Sequence, residues 1–540
     1  MKTRPRILSV VNDQKGKGRE DAEVVPLYNK LHSRDYEVLN DAPSLLAQHS
    51  IFARLMKPDN VGSAAFKFNE PIDPALTPLS LLSDVFGRFK SNMRIEIETE
   101  EMFADFKASR KLIAGMSYPY RTEDDRRIFF NDWIVETYGG RLETMVDETR
   151  AATDGHFLYT HAERGNQYIT LLLEGRRGGS SSGEPHIQGM AHYRKFYRNR
   201  INPSSDYVTR GCLPALLLTY QRTLLSLSPL QLLIGTVTGC YLDASGLVMH
   251  PDGTVQMEPL WGMRLNYDWH NDFERGLIAR FIWSVRNCIK DMKMFYDSKN
   301  PPLAYYQLEY QPAASDSNAS PPTKKLKLDQ FLVHYPCYRM TNSGIKTFQY
   351  TQRLYNDRLL FLAIEDGSHK QLLVKFAKKY ATRVHELLAS TEPALAPKLY
   401  ACEDLPGGWK MAVIEFLPQE QWLTLDVFLR KNPGADIEAM VMNRLETALK
   451  NLESRGFVHG DIRPYNILVS KPETDIDLRL IDFDYSGEAN KDRYPRDWNY
   501  RVRPKGAVGG ALMKVEHDKT MVNDLFTHIP LPNGKGILRT

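Results

Sequence analysis

The sequence predicts a multidomain α+β protein, and three observations carry that expectation. The chain has 540 residues, more than one hydrophobic core serves, since domains run to roughly 100–200 residues. A stretch from Gln311 to Gln330, QPAASDSNASPPTKKLKLDQ, is rich in Ser, Pro, Ala and Asn and poor in large apolar side chains. It buries too little surface to offset the entropy of ordering it, so it reads as a flexible linker between two unequal parts. Beyond about Thr341 the chain runs strands first and helices after, the order of an α+β domain. The expected division is a helical leader at 1–94, an α/β domain at 95–310, the linker at 311–330 and a second domain at 331–540.

Composition excludes several classes. Apolar residues make up 42%, charged residues 25%, and the formal net charge is +4, a mild basic lean that permits a polyanionic partner without demanding one. The five cysteines, Cys212, Cys240, Cys288, Cys337 and Cys402, form no Cys-x-x-Cys pair. Neither a disulfide framework nor a zinc site is indicated, and a reducing, intracellular compartment is expected. The first residues, MKTRPRILSVVNDQKGKGRED, contain no apolar run of signal-peptide length. The most apolar stretch, CLPALLLTYQRTLLSLSPLQLLIG, is interrupted by Pro214, Gln221, Arg222 and Pro229, whereas a membrane helix needs roughly 20 apolar residues in succession. It is expected to form buried strands or a buried helix, with no membrane span. Lys324, Lys325 and Lys327 follow a Pro pair, the form of a nuclear-import signal or of a solvated charge run, so cytoplasm and nucleus both stay open.

Residues 1 to about 90 are Leu-rich without a motif. Next, RIFFNDWIVETYGG sets Phe129, Phe130, Trp133 and Ile134 before Gly139 and Gly140, a buried helix with a C-terminal stop. In TDGHFLYTHAERGNQYITLLLEGRRGG, a strand carrying Asp154 turns through ERGN into an apolar strand, Ile169 to Leu173, that ends at Glu174. A Gly/Ser-rich loop then leads into the helix HIQGMAHYRKFYRNR. In LVMHPDGTVQMEPLW, Pro251 to Gly253 reads as a hairpin turn.

A helix, an Asp on one strand and Glu-x-Lys on the next resemble the PD-(D/E)xK nucleases, which implies a restriction-endonuclease-like α/β core. By that resemblance Asp154 and Glu174 bind magnesium, position 176 helps activate the attacking water, and Gln188 supports the site. Here Arg176 replaces the family's Lys, and a guanidinium stays charged and cannot readily transfer a proton. Cleavage is therefore not expected. The basic residues Arg176, Arg177, Arg194, Lys195, Arg198 and Arg200 would grip a nucleic-acid backbone or form a solvated helix face. Asp154 and Glu174 would otherwise be solvent-facing strand ends.

In the second domain, RLLFLAIEDGSHKQLLVKF reads as a hairpin turning at Asp366 and Gly367, with Lys375 near the end of its second strand. The helix ATRVHELLAS follows and places Glu386 eleven residues after Lys375. Leu445, Ala448, Leu449 and Leu452 form a helical stripe in NRLETALKNLESRG, and Gly456 stands where a C-terminal cap belongs. That helix delivers the chain to FVHGDIRPYNILVS, and DLRLIDFDYSGE follows. The two short strands around KPETDI place Asp461 and Asn466 on one side of a common cleft and Asp482 on the other.

The order Lys, Glu, His-x-Asp, Asn, Asp-Phe resembles the bilobal protein-kinase-like fold over about Tyr335 to Phe526. Phosphoryl transfer needs charge neutralisation more than covalent help. The resemblance implies ATP and Mg2+ as cofactors, with Lys375 on the α/β-phosphates and Glu386 orienting it. It further implies Asp461 as catalytic base, Asn466 and Asp482 as metal ligands, and Arg463 as a cation near the transferred phosphate. Three departures stand out: no Gly-x-Gly precedes Lys375, Gly460 replaces the Arg of regulated kinases, and Asp484 replaces the glycine of Asp-Phe-Gly. Switching by loop phosphorylation is not expected without that Arg. VEHDKTMVNDLF is expected to supply a helix whose Asp518 braces the catalytic loop.

Together, the nuclease-like region, the Pro/Ser linker, HGDIRPYNILV and LIDFDYSGE resemble a fungal kinase-like family related to crinkler-type effectors. The resemblance implies an atypical ATP- and magnesium-dependent phosphotransferase fused to an inactive nuclease-like domain. Its acceptor is a protein or a small molecule, nucleic acid is a further partner of the N-terminal domain, and no membrane is involved. Two rival readings stay open: a pseudokinase scaffold, and a nucleic-acid-binding or nuclease effector regulated by the kinase-like domain.

Overall fold

The computed structural model describes residues 46, 51, 66–68, 76–95, 100–118, 120, 122–144, 152–163, 165–175, 184–200, 213–222, 240–250, 254–265 and 271–298, then 335–340, 344–355, 358–432, 437–471, 476–496 and 503–526. These belong to two separate units, the first ending at 298 and the second beginning at 335. The expected linker, with Lys324, Lys325 and Lys327, lies outside the described residues. Both units mix helices and sheets, as the α+β reading expects. No helix among the described residues is long and apolar enough to cross a membrane.

In the first unit β1 (Phe66–Phe68) precedes α1 (Leu79–Leu82), α2 (Asp84–Asn92), α3 (Phe103–Ser117) and α4 (Glu123–Tyr138). The hairpin β2 (Gly155–Thr160) and β3 (Gln167–Gly175) follows, then α5 (Pro185–Arg200), β4 (Leu213–Arg222), β5 (Cys240–Met249), β6 (Val255–Leu265) and α6 (Asp272–Asp297). The strands form one sheet in the order β1-β6-β5-β4-β3-β2. β3 runs parallel to β4 and β1 parallel to β6, and the other neighbours are antiparallel.

Burial explains the sequence patterns. Every residue of β3 from Tyr168 to Glu174 is buried, and both α5 and α6 pack on it, which is why this strand lacks polar alternation. The Thr122 hydroxyl and the Asp125 carboxylate close a capping box on α4, and Gly139 stops it at φ 71°. Ile278, Phe281, Ile282, Val285, Ile289, Met292 and Tyr296 give α6 a buried stripe at helical spacing. Its Arg286 holds the buried Asp105 of α3 through two bonds of 2.7 and 2.5 Å. Truncating a fully buried leucine such as Leu172 or Leu217 would cost about 2–5 kcal/mol.

The division expected at residue 94 is corrected here. Phe66, Leu79, Val85, Phe86 and Phe89 share one core with Leu171, Leu172, Leu216 and Leu217. These residues fill the sheet's own interior and are no separate leader. The stretch from Leu213 resolves to a strand, and β5 and β6 pair with Met249 opposite Val255; the turn Pro251 to Gly253 lies outside the described residues. A second correction concerns the basic row: Arg194 and Lys195 are buried, so α5 does not present them to a phosphate backbone. Arg176 and Arg177 lie outside the described residues, as do the side chains of Arg198 and Arg200.

The second unit begins with β7 (Cys337–Met340), β8 (Gly344–Arg353), β9 (Leu360–Glu365) and β10 (Gln371–Ala377), then α7 (Thr382–Ala389), β11 (Leu399–Leu405) and β12 (Trp409–Glu415). These strands form an antiparallel sheet in the order β11-β12-β10-β9-β8-β7. Gly367 takes φ 80° in the β9–β10 turn, a conformation that glycine adopts without Cβ strain.

After the sheet come β13 (Trp422–Thr424), α8 (Leu425–Lys431), α9 (Glu438–Ser454), β14 (Phe457–Val458), β15 (Ile467–Ser470), β16 (Leu478–Leu480), β17 (Gly487–Glu488) and α10 (Val515–Asn523). Helix α9 buries Val441, Leu445, Ala448, Leu449 and Leu452, and Gly456 turns the chain at φ 70°. Strands β15 and β16 pair with Ile467 opposite Leu480, and the Ile481 amide donates to the Asn466 carbonyl at 3.0 Å. That register sets Asp482 beside the loop containing Asp461 and Asn466.

Candidate active site

Several segments of the second unit deliver charged side chains to one place. Lys375 sits in the middle of its sheet, between Ala412 of β12 and Leu360 of β9. Its neighbours Val374 and Phe376 are buried, so strand alternation turns Lys375 to the opposite face. There its Nζ lies 2.5 Å from Asp482 Oδ1 and 2.8 Å from Asp484 Oδ1. Burial alone would pull its pKa down, but the Asp484 and Asp482 carboxylates more than offset this, and the net shift is upward.

Asp482 adopts φ 71°, ψ 72°, a left-handed conformation that Asp tolerates better than most residues. Its neighbours hold it there. Phe483 is buried, stacks on His385 with centroids 4.3 Å apart, and its carbonyl accepts from the Ala381 amide at 3.1 Å. Burial raises the Asp482 pKa, yet the Lys375 ammonium prevails and the net shift is downward. For Asp484 burial prevails over Lys375, and its pKa rises to about 6.

The loop after β14 is pinned from below. Asp518 of α10 accepts from the amides of His459 at 2.6 Å and Gly460 at 2.9 Å, the brace that the sequence reading expected. Gly460 has φ 78°, and a Cβ there would collide with the carbonyl oxygen of Tyr485. Glycine at this position is thus a backbone requirement, which accounts for the missing Arg. Burial lowers the His459 pKa to about 4, so the imidazole is neutral. The Asn466 Nδ2 donates to the Asp461 carbonyl at 3.0 Å, leaving the amide oxygen as the end that could bind a cation.

Asp461 is wholly buried. Its Oδ1 is held by Arg503 and lies 3.2 Å from Arg463 Nε, while its Oδ2 has no hydrogen-bond partner among the described residues. Burial raises its pKa against the pull of Arg503 and Arg463, and the net shift is upward. Arg503 was not legible as a site residue, since no motif contains it. Arg358 is another such residue: it precedes β9, and its charge favours the ionised Asp482 and opposes the rise that burial imposes on Asp484. Asn356 and Asp357, between β8 and β9 in the sequence, lie outside the described residues.

One expected partnership is not formed. Glu386 is exposed on α7, and the ion pairs of Lys375 run to Asp482 and Asp484. The buried positions of α7 are Val384, His385 and Leu388; one residue further along a helix is a rotation of about 100°, which carries Glu386 out of the core. His385 occupies the inward place, bonded to Tyr380 Oη and the Pro397 carbonyl, each at 2.7 Å.

The first unit holds the other expected pair. Gly155 lies opposite Leu173 across β2 and β3, which brings Asp154 across from Glu174. Asp154 Oδ2 accepts from the Gly175 amide at 2.6 Å, and Glu174 Oε1 lies 3.7 Å from His192 Nε2. Burial first, and Asp154 second, raise the Glu174 pKa well above the carboxylate range. Glu174 is therefore an interior residue and no solvent-facing strand end. Gln188 is half-buried on α5, and Arg176 lies outside the described residues. Among the described residues no group of three or more His, Cys, Asp or Glu side chains is placed to hold a metal ion.

No family profile matches the chain, and no curated protein matches it. It is similar to a solved structure described as the Rad53 kinase domain and SCD2 in complex with AMPPNP, with 22% identity and a TM-score of 0.21. The match covers 26% of this chain and 51% of that chain, so the chain spans about half the length of the structure it matches. A likeness at that score specifies neither fold nor activity.

Proposed function

We propose that the second unit is an ATP- and magnesium-dependent phosphotransferase of atypical protein-kinase-like type, joined to a nuclease-like unit that does not cleave. The observation that carries this reading is convergence. Lys375, Asp461, Asn466 and Asp482 come from a sheet strand, one loop and a second turn, and side-chain or backbone contacts link their segments at a single place.

The residues fit the groups the reaction requires. Asp482 and the Asn466 amide oxygen would hold magnesium, an ion that supplies charge neutralisation on phosphate oxygens when bound. Lys375, kept protonated by two carboxylates, would bind the nucleotide phosphates. Asp461 Oδ2, buried and without a hydrogen-bond partner among the described residues, would accept the proton of the acceptor hydroxyl, while Arg463 and Arg503 orient the carboxylate through Oδ1. The Asp518 brace fixes the loop so that Asp461 keeps its place when the acceptor arrives.

A second reading, a nucleotide-binding scaffold, is favoured by the Arg503 ion pair, which engages the base. Transfer of labelled γ-phosphate from ATP with magnesium, to the protein itself and to generic protein acceptors, decides between them. Incorporation by the wild type that is lost in both Asp461→Asn and Asp482→Asn supports the enzyme. Nucleotide binding without transfer supports the scaffold.

A further inference from the structure

We propose that Asp484, not Glu386, is the positioning residue that orients Lys375 toward the nucleotide phosphates, an inference that rests on the phosphotransferase reading. A lysine on a strand has a long, flexible stem, so a fixed carboxylate must choose among its rotamers if it is to meet a phosphate. Asp482 cannot serve that purpose throughout, because the same carboxylate is required for the metal. A second carboxylate is needed, and Glu386 is not in position to provide it: it is exposed on α7, with the inward place taken by His385.

Asp484 meets the requirement. Its Oδ1 lies 2.8 Å from Lys375 Nζ, in a short helical turn, Phe483–Tyr485, anchored by Phe483 in the core. The residue stands where the related motif has glycine. What looks like a lost hinge is then a transferred function: the counter-ion has moved from the helix to the turn that also carries the metal ligand.

The test measures the pair first without nucleotide. The full chain is acylated competitively at low reagent, and modification at Lys375 is read by mass spectrometry. Asp484→Asn, which keeps the side-chain shape, should raise Lys375 modification at least threefold, whereas Glu386→Gln should change it by less than 1.5-fold. The opposite pattern overturns the proposal. Titration with a fluorescent ATP analogue follows. Asp484→Asn should weaken binding about tenfold, Asp484→Glu should restore it to within about threefold, and a Lys375→Met/Asp484→Asn double variant should bind no more weakly than Lys375→Met alone. Additive losses would overturn the proposal. If the wild type binds no nucleotide while the acylation pattern holds, the ion pair stands and the phosphotransferase reading falls. Unchanged melting of each variant confirms that the chain is folded, and Asp484→Gly provides a second removal of the carboxylate should the Asn variant fail to fold.

Discussion

Removing the Asp518 carboxylate should loosen the loop that follows β14 before it unfolds anything else. Both of its oxygens are used, by the amides of His459 and Gly460, and the residue is buried. Asp518→Ala strands two buried N–H groups, at about 1–3 kcal/mol each. Part of that cost is offset, because burial, acting against the two amide bonds, raises the Asp518 pKa to about 7, so the variant also removes a carboxylate that is costly to ionise. A net local loss of about 2 kcal/mol corresponds to roughly 30-fold faster opening. Asp518→Asn keeps one acceptor and should lose about half as much. Hydrogen exchange of the full chain at pH 7.5, read on a peptide spanning Phe457 to Ile462, measures this directly. A peptide from β11 and β12 serves as the control for global unfolding. Exchange of the loop peptide within twofold of wild type in the Ala variant, with the control unchanged, would refute the reasoning.

Three further outcomes are expected. Arg503→Met leaves the buried Asp461 with Arg463 as its remaining ion partner among the described residues, and should cost about 3–5 kcal/mol in denaturant unfolding, most of it regained on adding Asp461→Asn. Burial depresses the His385 pKa to about 4 from 6.5. Its stability contribution is therefore complete above pH 6.5 and is lost as pH falls toward 4, so between pH 6.5 and 5 His385→Phe should spare about 2 kcal/mol of acid-induced loss in paired melts. Gly460→Ala adds backbone collision to positive φ and should lower the melting temperature well beyond Gly367→Ala, which meets open space and costs about 1–2 kcal/mol of left-handed strain.

Much of the second unit is legible in the sequence because its signals are local. The stripe Leu445, Leu449, Leu452 specifies α9, Gly456 ends it, and the Asp366–Gly367 turn makes one hairpin. Asp518 was legible through the protein-kinase-like resemblance, which implied a helix that braces the loop after β14. Less was legible in the first unit. The 26-residue helix α6 carries a regular apolar stripe but no motif that ties it to a site.

By itself, the sequence determined which chemical groups are available and which local elements carry them: Lys375 on a strand, Asp461 and Asn466 on a loop, Asp482 after another strand. Tertiary structure decided who meets whom. It paired β1 with β6 and so drew residues before 94 into the first core, buried Arg194 and Lys195, brought Arg503 to Asp461, and gave Lys375 to Asp484 while Glu386 faced solvent. The reason is that periodicity and spacing are fixed by backbone geometry over a few residues. Partners distant in sequence are chosen by packing, where one residue along a helix exchanges core for solvent.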